Sequence, residues 1–274
     1  MKTMNQILFR LLLVSIVFGS IVTCCYGQQS KTHNIRTYFP VPENYERIFK
    51  DAYSEWLIEH PLKNFNRVKY FDGRVKHNDG IYAAVFDYDI GKRDLHQCAD
   101  AAIYLRASYN YASKFQDRLG FHFTNGDQAW YLDYLNGATY VPVNNGADIE
   151  IVWNKPRKDN CDTFRKWLDA VWTYAGTWSV EKYDTEPVSI LEIQPGDVFI
   201  QGGFPGHAVT VVDVAQNDRG HRIFMLAQSY MPAQEQHVLV NPAIGDVWYS
   251  ADNMSFIITP EWTFEPTDLR RFIK

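Results

Sequence analysis

The carboxy-terminal third of the chain carries four short β-branched runs separated by turn-forming residues. The runs cover 197–201, 208–214, 223–228 and 237–240, with Gly, Pro, Asn and Asp between them. Runs broken in this way are typical of antiparallel strands joined by hairpins. This part of the chain is therefore predicted to form an antiparallel sheet.

The preceding part of the chain is dominated by helical periodicity. Apolar residues recur at spacings of three and four, which predicts helices at 43–59, from Asp94 onward, at 127–135 and at 162–175. Asp94 with Gln97 forms a capping-box pattern at the start of the second helix. Short strands are predicted at 68–71, 81–90 and 121–124, and a turn-rich stretch at 144–158. Helices before a sheet indicate an α+β protein, not alternating βαβ units.

The first residues have the pattern of an export signal. Lys2 and Arg10 precede an apolar run from 11 to 22, and small or thiol residues follow up to Gly27. This order is typical of a secretory signal, and the run is short for a membrane span. Two processing routes stay open: cleavage after Gly27, or lipidation at Cys24. We expect an exported protein that is periplasmic, extracellular or an outer-membrane lipoprotein.

Residues 28–274 are predicted to form one domain, because no long linker, repeat or low-complexity tract interrupts them. Hydrophobic residues make up 46% of the chain, enough for a substantial core. The formal net charge of −5 argues against a nucleic-acid partner, which would require a basic face. Contact with a membrane is expected only through a lipid anchor at Cys24.

A histidine between a glycine-rich turn and a β-branched run is the most suggestive chemical feature. The segment reads QPGDVFIQ at 194–201, GGFPG at 202–206 and HAVTVVDV at 207–214. This pattern resembles the core of CHAP-type and NlpC-type papain-like cell-wall hydrolases. The resemblance implies a papain-like fold, with amino-terminal helices packed on the carboxy-terminal sheet. It also implies that His207 is the general base and that Gln228 orients its imidazole.

The nucleophile in such enzymes is a cysteine at a helix start, where backbone amides and an imidazolium favour the thiolate. Cys98 lies in the first turns of the helix predicted from Asp94, and Cys161 lies at the start of the helix predicted at 162–175; the two could instead pair as a disulfide. Nearly the whole chain is also similar to a family of exported Bacteroidetes proteins known only as a domain of unknown function. The shared motifs include DLHQCAD at 94–100, GDVFIQGG at 196–203 and LAQSYMPAQ at 226–234. This similarity implies Cys98 as the nucleophile.

Further polar residues are candidates to line the same cleft. They occupy predicted turns, strand ends or the face of the helix beyond Cys98, and they are Arg106, Asn125, Gln201, Ser229 and Tyr230. The histidines are scattered without metal-ligand spacing, and no phosphate or dinucleotide fingerprint is present, so no metal or cofactor is expected.

Two functional hypotheses follow from the sequence. In the first, the protein hydrolyses amide bonds in cell-wall peptides, with Cys98, His207 and Gln228 as catalytic residues. In the second, it is a non-catalytic envelope binding protein or lipoprotein on the same fold, because one fold can carry many functions and can persist without catalysis. The position of Cys98 relative to His207 distinguishes the two hypotheses.

Overall fold

The computed structural model describes residues 33–65, 67–78, 80–252 and 254–273. Its strands, in chain order, are β1 (His33–Asn34), β2 (Tyr45–Arg47), β3 (Pro61–Leu62), β4 (Tyr82–Val85), β5 (Gly120–His122), β6 (Gln128–Trp130), β7 (Ala138–Val143), β8 (Asp148–Trp153), β9 (Thr185–Pro187), β10 (Val198–Gln201), β11 (His207–Asn217), β12 (Arg222–Gln228), β13 (His237–Leu239), β14 (Trp248–Ser250), β15 (Ile257–Ile258), β16 (Thr263–Phe264) and β17 (Leu269–Phe272).

The helices are α1 (Ile35–Tyr38), α2 (Ala52–Ile58), α3 (Cys98–Ala112), α4 (Tyr131–Leu135), α5 (Cys161–Tyr174) and α6 (Thr177–Ser179), which a π-helical turn at Val180–Asp184 follows. Single 3₁₀ turns cover Gln116–Arg118, Asn144–Gly146, Ile190–Glu192 and Pro266–Asp268. The export-signal pattern at 1–27 lies outside the described residues.

The central sheet is antiparallel and runs in the order β4-β13-β12-β11-β10-β17-β9. Strand β14 pairs with β12, and β2 pairs with the far end of β11. The predicted α+β class is confirmed, and so are the four carboxy-terminal strands, which correspond to β10, β11, β12 and β13. Three small hairpins, β5–β6, β7–β8 and β15–β16, lie outside this sheet.

Strand β11 is buried from His207 to Ala215 and is mostly apolar there, because both faces of the sheet are covered. Ala208 and Val212 belong to the core shared with helices α2 and α3, whereas Val209 and Val211 belong to a second core on the opposite face. A strand buried on two sides needs apolar residues at successive positions. This explains the valine-rich sequence after His207, in which the buried Asp213 is paired with Arg47.

Several predicted elements are corrected by the structure. The predicted helix at 43–59 is instead strand β2 followed by helix α2, whose N-cap is Asp51. The predicted helix at 127–135 consists of strand β6 and the short helix α4. The stretch at 144–158 contains strand β8, which pairs with β7 over its whole length. In each case a backbone partner outside the local segment overrides the helical or turn preference.

Helix α3 begins later than the capping pattern predicts. Its N-cap is Gln97, and the Asp100 carboxylate accepts a hydrogen bond from the Gln97 backbone N–H at 3.0 Å. Asp94 instead accepts a hydrogen bond from the backbone N–H of Ala233 at 2.6 Å. The tertiary contact therefore removes Asp94 from the helix and leaves Cys98 as its first residue. Helix α5 lies within one residue of the prediction.

Candidate active site

The turn between β10 and β11 delivers His207 to the edge of the sheet. His207 is the first residue of β11 and pairs with Gln201 of β10. At Gly206 a Cβ atom would approach the backbone carbonyl oxygens of Gly203 and Gln201 to 2.6 and 2.8 Å. Only glycine fits this close approach. The glycine-rich sequence is thus required by the tight turn before the histidine.

The imidazole of His207 is held by Gln228. Its Nε2 atom lies 2.8 Å from Oε1 of Gln228 at the end of β12, and both side chains are buried. The rings of Tyr230 and Trp262 pack against the imidazole at centroid distances of 4.7 and 5.2 Å. Burial, aided by the positive charge of Lys76, lowers the pKa of His207 to about 4. The imidazole is therefore neutral near pH 7.

Cys98, the first residue of helix α3, contacts strand β11 next to His207. It is 7% exposed, and its sulfur accepts a hydrogen bond from the backbone amide of Ala208, the residue after His207. The amide of Ala99 in the first turn of α3 also points to the sulfur. Burial first, and then the nearby Asp100, raise the pKa of the Cys98 thiol to about 11 despite these amides. Near pH 7 the Cys98 side chain is thus a protonated thiol, and it lies against the strand that begins with the neutral His207.

Cys98 is a free cysteine, so it is not joined to Cys161 by a disulfide. Cys161 begins helix α5 and is absent from the walls of the cleft at Cys98. The arrangement favours Cys98 of the two sequence candidates for a nucleophile, because only Cys98 contacts the strand that carries His207.

An open cleft of about 300 Å³ lies in front of Cys98. Three exposed apolar side chains stand on its walls: Trp178, Phe204 and Met231, which are 41%, 99% and 51% exposed. Its polar lining includes Asp100, whose Oδ1 atom is buried without a hydrogen-bond partner among the described residues. Burial raises the pKa of Asp100 well above its usual value. The cleft thus combines an apolar rim with a buried carboxyl group beside the thiol.

Of the other predicted cleft residues, the structure packs the Tyr230 side chain against the imidazole, and it pairs the backbone of Gln201 with that of His207. Arg106 stacks on the Tyr53 ring at 4.9 Å and is absent from the cleft walls. Asn125 shapes its own turn by accepting a hydrogen bond from the Asp127 backbone at 3.0 Å. Ser229 is buried and donates to the backbone carbonyls of His96 and Gln234. These three side chains have structural partners.

Gln201 acts one step away from the imidazole. Its Oε1 accepts a hydrogen bond from the indole N–H of Trp262 at 2.9 Å, and its Nε2 donates to Asp268 at 2.7 Å. Gln201 thereby holds the indole that covers His207.

Three residues around the histidine were not singled out from the sequence: Lys76, Glu261 and Trp262. Gln228 donates from Nε2 to Oε2 of Glu261 at 2.6 Å, and Lys76 lies 2.7 and 2.6 Å from the two oxygens of that carboxylate. They come from two loops far apart in sequence, so no local spacing signal marks them. Within the described ranges, no group of three or more His, Cys, Asp or Glu side chains is placed to hold a metal ion.

The fold and this cluster define an α+β protein with a buried Cys–His–Gln site at the junction of a helix start and a sheet edge. Residues 35–271 match the model of the family described as a domain of unknown function (4846), and the chain belongs to that family. No curated protein and no solved structure gives a significant match. In the part of the chain that the structure describes, no helix is long and apolar enough to cross a membrane.

Proposed function

We propose that this protein is a cysteine hydrolase of amide bonds with a papain-like site. The observation that carries the proposal is that Cys98 lies against the strand of His207. The sulfur of Cys98, the first residue of α3, accepts a hydrogen bond from the backbone amide of Ala208, which follows His207. Gln228 holds the opposite nitrogen of that histidine at 2.8 Å. A nucleophile, a base and a group that orients the base are the three parts that acyl transfer through a thiol requires.

The reaction would proceed through a thioester. The Cys98 thiol gives its proton to Nδ1 of His207 as the sulfur attacks the amide carbonyl carbon. The imidazolium then protonates the leaving nitrogen, and the carbon–nitrogen bond breaks. Water, deprotonated by the same imidazole, hydrolyses the thioester, which releases a carboxylic acid and restores the thiol. Backbone amides in the first turn of α3 would stabilise the oxyanion.

The cleft supports a peptide-like substrate that places an apolar group beside the scissile amide. Trp178, Phe204 and Met231 offer apolar surface, and the Asp100 carboxyl offers a hydrogen-bonding group close to Cys98. With the export pattern at the amino terminus, we propose peptides of the cell envelope as substrates and a site of action outside the cytoplasm, whether the protein is free or anchored at Cys24.

Alkylation of Cys98 by iodoacetamide across pH tests the site directly. We expect modification near pH 7, followed by mass spectrometry at Cys98, to slow about tenfold or more in His207→Ala, because the imidazole assists loss of the thiol proton. His237→Ala is the matched control, since His237 is equally buried on strand β13 of the same sheet. Equal rates in the wild type and in His207→Ala contradict the proposal.

A non-catalytic binding protein is the second candidate, and the burial of the Cys98 thiol favours it. In that case nothing assists the thiol, and its rate of alkylation follows the fraction of thiolate alone. The rate then rises about tenfold per pH unit up to the raised pKa of about 11 and is unaffected by His207→Ala. The shape of the pH profile therefore separates the two functions.

Removal of the Trp178 side chain is expected to weaken ligand binding at the cleft. Trp178→Ala deletes apolar surface on the cleft wall that is 41% exposed, and an aromatic contact of this kind contributes about 1 kcal/mol or more. We expect the Kd of a blocked dipeptide amide with a Leu or Phe side chain, measured by calorimetry on Cys98→Ala protein, to rise about fivefold or more. Trp153→Ala, an exposed tryptophan on the β8 strand, is the control. An unchanged Kd argues against the apolar rim as a binding surface.

A further inference from the structure

We infer that Glu261, held by Lys76, is a positioning residue that sets the tautomer of His207 through the side-chain amide of Gln228. This inference deepens the proposed function, on which its catalytic consequence rests. Four side chains lie in one chain of contacts: Lys76 to Glu261, Glu261 to Gln228, and Gln228 to His207. Each contact constrains the next because of the chemical nature of its donor and acceptor.

The first constraint is the charge on Glu261. The ammonium of Lys76 lies 2.6 Å from one carboxylate oxygen and 2.7 Å from the other, and only 6% of Lys76 is exposed. A buried ammonium group needs a negative partner. Among the described residues, Lys76 makes its salt bridge with Glu261. Glu261 is thus an ionised carboxylate, which accepts hydrogen bonds and donates none.

The second constraint is the direction of the Gln228 amide. The group of Gln228 that faces an acceptor-only carboxylate at 2.6 Å must be its NH₂ group. The amide oxygen must then face His207, at 2.8 Å from Nε2. In an isolated glutamine the two ends of the amide are interchangeable. Here the Glu261 carboxylate determines that the NH₂ end of the Gln228 amide faces Glu261 and that its oxygen faces His207.

The third constraint determines which nitrogen of the His207 imidazole carries the hydrogen. An amide oxygen accepts but cannot donate, so Nε2 of His207 must carry the hydrogen. In a neutral imidazole the other nitrogen, Nδ1, then has a free lone pair. That lone pair is the one that would accept the proton of Cys98 in the proposed reaction. With the amide reversed, Nδ1 would carry the hydrogen and could not act as the base.

The loop between β15 and β16 supplies this control as a unit. Glu261 fixes the amide of Gln228, and the next residue, Trp262, covers the imidazole at a centroid distance of 5.2 Å. The loop is itself braced, because Thr259 and Trp262 exchange backbone and hydroxyl hydrogen bonds of 2.8 to 3.0 Å. A water-poor setting strengthens each polar contact in the chain. The β15–β16 hairpin, which is distant in sequence, therefore sets the tautomer of His207 through Gln228 and covers its ring.

The tautomer of His207 is measurable without any substrate. In protein labelled with ¹⁵N-histidine, long-range ¹H–¹⁵N spectra near pH 7 distinguish protonated Nε2 from protonated Nδ1. We expect His207 to show the Nε2–H form in the wild type and to shift towards the Nδ1–H form in Glu261→Gln, in which the carboxylate no longer dictates the amide direction. Glu235→Gln is the matched control, because Glu235 is likewise a carboxylate paired with a lysine, Lys63.

Alkylation of Cys98 by iodoacetamide at pH 7 supplies the second readout, and we expect about a tenfold or greater decrease in Glu261→Gln and none in Glu235→Gln. An Nδ1–H tautomer in the wild type, or an unchanged tautomer in folded Glu261→Gln, overturns the inference. The wild-type measurement decides this even if the variant does not fold. If the tautomer responds as expected but Cys98 alkylation is insensitive to His207→Ala, the positioning role stands and the proposed hydrolase function fails.

Discussion

Replacing Cys98 by alanine is expected to abolish amide hydrolysis while leaving the fold intact. In the proposed mechanism the sulfur forms the covalent intermediate, so its loss should lower turnover at least about 10³-fold. The stability should change by no more than about 1 kcal/mol, because the substitution removes a single buried atom. The assay follows new amino groups released from purified muropeptides, and circular dichroism during urea unfolding reports the stability.

Cys161→Ala is the companion variant, since Cys161 also begins a helix but is disulfide-bonded and absent from the cleft walls. We expect it to retain turnover. Activity that survives in Cys98→Ala would exclude Cys98 as the nucleophile, whatever the companion variant does.

Mild acid is expected to destabilise the protein strongly, with unfolding complete near pH 4. Burial is the main cause of low pKa values at four histidines: about 3 at His60, His96 and His237, and about 4 at His207, compared with the ordinary value of 6.5. These imidazoles are neutral in the folded protein and become protonated on unfolding below pH 6.5. Their contribution to stability is therefore complete above pH 6.5 and is lost as the pH falls from there towards 3.

Each buried histidine removes about 1.4 kcal/mol of stability per pH unit in this range. Buried carboxyl groups act in the opposite sense, because burial raises the pKa of Asp100, Asp197 and Asp213, the last to about 6. At pH 4.5 the four histidines together remove roughly 10 kcal/mol of stability, and protonation of the buried carboxyl groups offsets part of this loss. The histidine sum is comparable to the whole stability of a typical domain, about 5–15 kcal/mol.

The free energy of unfolding, measured with urea from pH 7.5 to 5, tests this account. His60→Phe keeps a ring among Trp56, Phe86 and Tyr88 and removes one titrating group. We expect the slope of the free energy with pH to fall by about 1.4 kcal/mol per unit. His221→Gln, at a histidine with a half-exposed side chain, should leave the slope unchanged. A wild-type stability that does not depend on pH in this range contradicts neutral buried histidines.

Elements whose information is local were predicted well from the sequence. Helix α5 and strands β10 to β13 agree with their predicted ranges, because apolar periodicity and turn residues lie within each segment. Strand β2, which depends on a distant partner, was not predicted: it exists because Tyr45–Arg47 pairs with Ala215–Asn217 of β11. Strand β8 was not predicted either, although its partner β7 is the adjacent strand of a hairpin.

The residues of the candidate site likewise fall into two groups, those marked by a local sequence pattern and those that are not. The sequence identified His207, Cys98 and Gln228 as residues to examine, from a glycine-rich turn, a helix start and a strand end. Lys76, Glu261 and Trp262 have no such local pattern, although they surround the histidine and its glutamine. The prediction of Asp94 as a helix cap was wrong for a related reason, since the Asp94 carboxylate accepts a hydrogen bond from the backbone N–H of Ala233 instead.

The sequence by itself therefore determined the α+β class, the carboxy-terminal antiparallel strands and the residue types available for thiol chemistry. Only the tertiary structure decided that helix α3 begins at Cys98, that its sulfur meets the amide beside His207, and that a distant hairpin orients the Gln228 amide. The physical reason is range. Periodicity, capping and turn preferences act within a few residues of the chain, whereas burial, charge pairing and hydrogen-bond direction depend on side chains that folding brings together from distant segments.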